Sequence, residues 1–352
     1  MTSWPNQTEH LFILKNFVFA SGEPLAELKQ HVVTFGTPAR NAAGDITNAV
    51  LLLHNTTGSG ATWLSPEIAD HLFAPGQPLD AGKFFLVAGD MIGFGRSSKP
   101  SNGLRARFPH YRYADMVTAQ HQVLTEHLGI RHLRLVLGLS MGGMLTWMFG
   151  EMYPDFMDAL VPIASQPGPM SGRNWIQRRI NIEAIRSDPE WNNGDYERNP
   201  TRWVLTAPIG ALMTQSVARI QEMAPTRAAA DDLYRRFVER AAKGDANDRL
   251  YQLEASMDYD PSGALDRIEA RLFALNFADD ALNPPELGVL EPAIAKMVAS
   301  VLRIFDFSLF QSPPKVMRTP GGATILSLAR LMPDLQARIS ATKCDPQSTA
   351  SM

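Results

Sequence analysis

Gly138-Leu139-Ser140-Met141-Gly142-Gly143 sets a serine between glycines at two-residue offsets, after the apolar run Leu133 to Leu137 and before a helix-spaced stretch. That pattern suits a tight strand-to-helix bend, because side chains at the glycine positions would collide with the neighbouring strand or helix. Such a bend lifts the serine hydroxyl clear of the sheet, making Ser140 a candidate nucleophile for acyl transfer. It also aims the backbone N–H of Met141 at the place where an oxyanion forms. The short motif arises easily by chance, so its flanking strand and helix carry the weight. The competing reading is a glycine-rich helix start with no chemistry.

Acyl transfer needs a second oxyanion donor, from the loop after an earlier strand. His54-Asn55-Thr56-Thr57-Gly58 follows the apolar run Asn48 to His54, and the backbone N–H of Thr56 is the choice there. His54 itself reads as a buried histidine satisfied by backbone. A triad acid belongs at the end of a later strand. Asp280, four residues before Pro284, is the first choice after the run Arg271 to Phe277, with Asp279 second. Both also suit plain loop capping. The loop Asp90 to Ser97 lacks the third glycine and the lysine of a phosphate cradle. His121, His127 and His132 are not at metal-ligand spacing and read as solvated positions. Met141, Met144 and Met148 read as core, and Arg173, Arg178 and Arg179 as solvated, with contact to an anionic coenzyme as the alternative.

The elements that must position these residues follow from periodicity. Leu11 to Ala20 reads as an opening strand. The runs 48–54, 84–88, 133–137 and 157–164 are apolar without alternation, as in strands covered on both faces. Tyr113 to Leu128 has helical spacing and stops at Gly129, and a helix after Ser140 runs to Tyr153, where Pro154 ends it. Strands alternating with helices predict a mostly parallel sheet with right-handed crossovers. From 166 to 264 tryptophans, arginines and helical stretches replace that rhythm, which predicts a helical cap supplying apolar walls above Ser140. The division expected is therefore core at 10–165 and 265–311, cap at 166–264, and an atypical tail at 312–352.

The chain has 352 residues, 33 basic against 36 acidic, for a net charge of −3. No positive field is available to gather nucleic acid or anionic lipid, and no apolar run approaches a membrane span. One cysteine, Cys344, excludes an intrachain disulfide and a thiolate metal cluster; it sits in a polar tail unsuited to a nucleophile. A cytoplasmic protein acting on a small molecule, with no metal, is expected.

Gly138 to Met144, with Gln177-Arg178-Arg179, Asp188-Pro189-Glu190-Trp191, Gly194-Asp195-Tyr196 and the Asp280-to-Pro284 spacing, resembles the homoserine O-acetyltransferase-like branch of the α/β-hydrolase superfamily. The resemblance covers roughly residues 10 to 295 and implies Ser140 as nucleophile, Asp280 as triad acid, and Thr56 and Met141 as oxyanion donors. It implies an α/β-hydrolase fold: a mostly parallel twisted sheet, helices on both faces and a helical cap insertion. Two departures stand out. Thr206-Ala207-Pro208-Ile209-Gly210 replaces the Ala-Arg-x-x-Gly stretch usual in the transferases, which argues against an amino-acid acceptor. More seriously, the branch's histidine follows the acid, whereas none of the eight histidines here lies beyond residue 132. Without an imidazole the hydroxyl has no general base. The tail from Ser312 resembles nothing in the branch and reads as mistranslated or disordered. Read in a shifted frame, Gln311 to Pro320 can spell Val-Ser-Pro-Glu-Ser-His-Ala-His-Ala, close to the branch's histidine loop.

The leading expectation is an esterase-like hydrolase of a small acyl substrate working through an acyl-enzyme, without a cofactor. The alternative is an O-acetyltransferase with acetyl-CoA as co-substrate. A third is a hydrolase-fold protein impaired by loss of the histidine.

Overall fold

A computed structural model describes residues 4–277, 279–295, 297 and 300–305. The expected tail at 312–352, with Cys344, lies outside the described residues. The strands are β1 (Thr8–Val18), β2 (Pro24–Gly36), β3 (Ala49–Leu53), β4 (Phe85–Gly89), β5 (Leu135–Leu139), β6 (Ala159–Ile163), β7 (Arg271–Phe277) and β8 (Ser300–Phe305). They form one sheet in the order β1-β2-β4-β3-β5-β6-β7-β8. β2 runs antiparallel to β1 and β4, and every other pairing is parallel.

The unbroken apolar runs have a direct cause. Within β3, Val50 and Leu52 point into a core with Trp63, Ile68, Leu72 and Phe73. Ala49, Leu51 and Leu53 point the other way, onto Met116, Val117, Met144 and Leu145. Both faces are covered, so alternation is lost, and each buried leucine or valine contributes about 1.5–3 kcal/mol.

Helices α1 (Pro66–Leu72), α2 (Tyr113–Gln122) and α3 (Met141–Met152) belong to the crossovers. Between β6 and β7 the chain leaves the sheet to form α4 (Gly172–Arg186), α5 (Ala207–Met213), α6 (Val217–Met223), α7 (Arg227–Ala241) and α8 (Ala246–Glu254), where the sequence predicts a helical cap. Helix α9 (Leu290–Ala295) leads into β8. β8 lies within the second core segment expected at 265–311, and residues 306–311 of that segment lie outside the described residues.

Strand order also fixes where a site belongs. From β3 the chain moves outward to β4, then crosses back to place β5 on the other side of β3. This reversal leaves a crevice beyond the carboxyl ends of β3 and β5, the place where open α/β sheets bind ligands. Leu53 and Gly138 pair across that boundary, so the loops at 54–56 and 139–141 leave the sheet side by side.

A Cβ on Gly142 would stand 2.1 Å from the Leu53 carbonyl oxygen, whereas one on Gly263 meets nothing within 4 Å. Gly142→Ala is expected to lower stability by about 1–3 kcal/mol through overpacking against rigid backbone. Gly263→Ala should change it little; urea denaturation of the two variants checks the contrast.

Candidate active site

Ser140 joins β5 to α3 in a left-handed conformation, φ 56° and ψ −111°, that an L-residue adopts only under constraint. The constraint is on both sides of it. Its N–H donates to the Ile163 carbonyl at 2.8 Å, tying the bend to β6, and its carbonyl accepts from Met144 N at 2.9 Å, starting the helix. A Cβ on Gly138 would lie 2.0 Å from the Gly142 carbonyl, and one on Gly143 would lie 2.5 Å from Ser165 Oγ. The motif's glycines are therefore steric necessities. Met141 and Met144 are buried, which anchors the first turn of α3 in the core, while Ser140 stays partly exposed. Among the described residues the Ser140 hydroxyl has no hydrogen-bond partner.

A Cβ on Gly142 would meet both the Leu53 and His54 carbonyls, so the loop that leads to Thr56 starts beside the first turn of α3, next to Met141. Neither Thr56 N–H nor Met141 N–H has an acceptor among the described residues.

Asp280 lies beyond the end of β7, two strands from β5. Its carboxylate is engaged by its own loop. Oδ1 accepts from Leu282 N at 2.8 Å and Asn283 N at 3.0 Å, and Oδ2 from Asn283 Nδ2 at 3.2 Å. Asn283 Nδ2 also donates to the Ala164 carbonyl at 3.0 Å, which braces the acid loop on the end of β6. Burial pushes the Asp280 carboxyl above its ordinary value, assisted by Asp279, while these N–H contacts oppose the rise. Asp279, the second choice, is exposed.

No histidine reaches Ser140. His54 is fully buried and accepts from Met91 N on Nε2 at 3.1 Å, so Nδ1 carries the proton and donates to the Asn55 carbonyl at 2.8 Å. Burial holds it below its ordinary pKa, so it is a neutral structural group, as its sequence context suggests. His31 pairs with Asp90 at 2.9 Å, and Asp90 in turn accepts from Gly60 N and Arg96 N, organising the 90–98 loop. The reading of His127 and His132 as solvated agrees with their exposure, whereas His121 is half-buried. His121 stacks on Tyr153, His127 stacks on Phe12, and His132 pairs with Asp158. His10 contacts Thr34, His110 stacks on Tyr251, and His71 lies on α1.

Two groups escaped the sequence reading. Asn276, buried within β7, accepts from Ser165 N at 3.2 Å, and Ser165 Oγ accepts from Trp147 Nε1 at 3.2 Å, so a polar brace underlies the site. The signal was an asparagine inside an otherwise apolar strand run. The cap also departs from expectation: the inner face of α4 begins with Asn174, Gln177, Arg178 and Asn181 rather than apolar walls. Arg178 is buried, not solvated as expected, although Arg173 and Arg179 are exposed. Among the described residues no cluster of histidine, cysteine, aspartate or glutamate fits a metal ion, and no helix is long and apolar enough to cross a membrane.

The sequence profile of the alpha/beta hydrolase fold matches residues 48–290. The chain belongs to the α/β-hydrolase family, in its homoserine O-acetyltransferase-like branch. A homoserine O-acetyltransferase of Pelobacter propionicus is 32% identical over 302 residues, 75% of this chain and 80% of that protein. A protein of Methanothermobacter thermautotrophicus named "Probable acyltransferase" is 29% identical, covering 84% of this chain and 89% of its own. The fold also matches an acetylester hydrolase from Corynebacterium glutamicum, with TM-score 0.75, 21% identity and 95% of each chain covered. Esterases and acyltransferases thus share this architecture, and the protein is an enzyme of that class.

Two measurements check this site. Ser140→Gly should raise stability by about 1 kcal/mol by relieving the left-handed strain, whereas Ser140→Ala should not. Because His54 titrates below the unfolded imidazole value of about 6.5, its burial favours folding fully above that pH and progressively less below it. The stability of His54→Gln should therefore fall less steeply than that of the parent as pH drops from 7 to 5, read as urea midpoints.

Proposed function

We propose that the protein is an acyltransferase in which Ser140 takes an acyl group from an activated donor such as acetyl-CoA and passes it to an alcohol. The left-handed bend at Ser140, between glycines that no other residue can replace, carries this reading. Kinship over most of the chain with proteins named as acyltransferases supports transfer to an alcohol over transfer to water. Hydrolysis of the same acyl-enzyme is the second reading, since it uses the same serine and the same donors.

In the step proposed, Ser140 Oγ attacks the acyl carbon and the carbonyl oxygen becomes an oxyanion held by the N–H groups of Thr56 and Met141. Collapse expels the thiolate or alkoxide of the donor, and the serine proton leaves to a base. Asp280, past the end of β7, is the triad acid proposed, but its hydrogen bonds are to its own loop and none is to an imidazole. As the chain reads, the proton goes to solvent, which forfeits about 10²–10⁴-fold in rate. Both acylation and release of the acyl group are then slow, and the shifted frame of the tail is the source proposed for the missing histidine.

Intact-mass and peptide analysis after exposure to 4-nitrophenyl acetate or acetyl-CoA tests this. One acetyl group on Ser140, missing in Ser140→Ala, is expected, with free coenzyme released before any acceptor is added. Added imidazole should raise turnover about 10-fold or more by replacing the base. An unlabelled Ser140 under both donors overturns the proposal. Sequencing natural transcripts across the codons for residues 295–352 decides the frame.

A further inference from the structure

Helix α4 is inverted over its first turns. Asn174, Gln177, Arg178 and Asn181 face inward at offsets of three and four residues, while Ile176 and Ile180 are 60% and 38% exposed. Apart from Trp175, which packs on the core, polar side chains are placed inside and apolar ones outside, the reverse of an ordinary surface helix.

Arg178 is 4% exposed. Its Nε donates to Asn174 Oδ1 at 3.2 Å, but Nη1 is buried with no hydrogen-bond partner. Helix α8, which packs on α4, carries Arg249, and burial together with the Arg178 charge brings the Arg249 guanidinium down to about 10. Among the described residues no carboxylate pairs with either arginine. The neighbouring acids are spent elsewhere: Glu183 on Arg179, Glu254 on Arg186, and Asp248 on Ser101 and Lys99. Tyr113, at the start of α2, donates its N–H to the Ala255 carbonyl at the end of α8 at 3.1 Å, and its hydroxyl is also buried and unpartnered.

We infer that Arg178 and Arg249, with the Tyr113 hydroxyl, form a buried anion site between α4 and α8 that takes one carboxylate or phosphate group. Two adjacent guanidinium groups in a low-dielectric interior repel, and each unmade donor bond is costly. A forked anion removes both penalties, because carboxylate and phosphate oxygens match the guanidinium geometry. Arg249 is only partly buried, which leaves a way in.

The site lies on the working side of the sheet. Tyr113 packs edge-to-face on Tyr259 at 5.8 Å, the Tyr259 hydroxyl donates to the Gln166 carbonyl at 2.8 Å, and Gln166 Nε2 donates to the Pro284 carbonyl at 3.0 Å. That chain of contacts runs from Tyr113 to the loop holding Asp280. The substrate assigned to Ser140 therefore carries an anionic group, a step that rests on the acyl-transfer reading; binding of the anion does not. The position differs from 208, where a proline stands on the neighbouring α5.

Calorimetry and thermal melting of the full chain with inorganic phosphate and with succinate test the site without needing turnover. The parent should bind one anion and melt higher with it, and Arg249→Leu and Arg178→Met should each weaken binding by about 10-fold or more. In buffer without either anion, Arg249→Leu should melt higher than the parent, because an uncompensated like charge has gone. Arg249→Lys, which keeps the charge but not the fork, should bind phosphate more weakly than the parent. Competition in Ser140→Ala assigns the source: a hemisuccinate ester that displaces phosphate makes the anion part of the substrate, and one that leaves phosphate bound makes it a free ion. No anion-dependent rise in the parent overturns the site. So do arginine variants that lose stability equally with and without phosphate, which makes the pair structural.

Discussion

The first turn of α3 lies so close to the end of β3 that the Leu53 carbonyl leaves no room for a Cβ on Gly142. Most of the site follows from that approach. A helix starting this near a strand forces the connection into a sharp bend, and Ser140 takes the left-handed backbone that the bend requires. The same proximity sets the start of the loop after β3 beside the helix start, with the Leu53 and His54 carbonyls against Gly142. Strain of about 1–3 kcal/mol at such a residue persists only where its surroundings over-determine it. Here the hydrogen bond to Ile163 and the burial of Met141 and Met144 do so.

The acid loop is held by other means. Asp280 is positioned by Leu282, Asn283 and, through Asn283, by the Ala164 carbonyl. None of these contacts involves an imidazole, so the loop keeps its shape whether or not a histidine faces it. The polar brace of Asn276, Ser165 and Trp147 is likewise independent of the chemistry above it. A chain can therefore lack a histidine here and still keep the elbow and the shape of the Asp280 loop.

The core was largely legible in the sequence because both its faces are buried. Runs such as Arg271 to Phe277 coincide with their strands, and the elbow announces itself through glycines whose steric reason is local. Packing partners were not legible. Nothing near His121 in sequence shows that Tyr153 will stack on it at 3.8 Å, and nothing near Arg178 marks it as buried. Its neighbour Arg179 is solvated and paired with Glu183 on the next turn. Only the helical phase separates the two, and the phase of α4 cannot be taken from apolar spacing when its apolar residues face outward.

That inversion has a consequence for the cap. Apolar burial stabilises the second half of α4 through Ile182 and Ile185, both within the core, and the first half only through the partly buried Trp175. There the helix is held inward by Asn174, Gln177 and Asn181, whose hydrogen bonds run largely along α4 itself, and by a cation lacking its full set of acceptors. Bonds within one helix do not dock it on its neighbours. An anion between α4 and α8 would add the missing attraction across the gap, so binding and closure of the cap would share one free energy. A cap held this way responds to the charge of what enters, whereas a cap held by leucines would respond chiefly to its size.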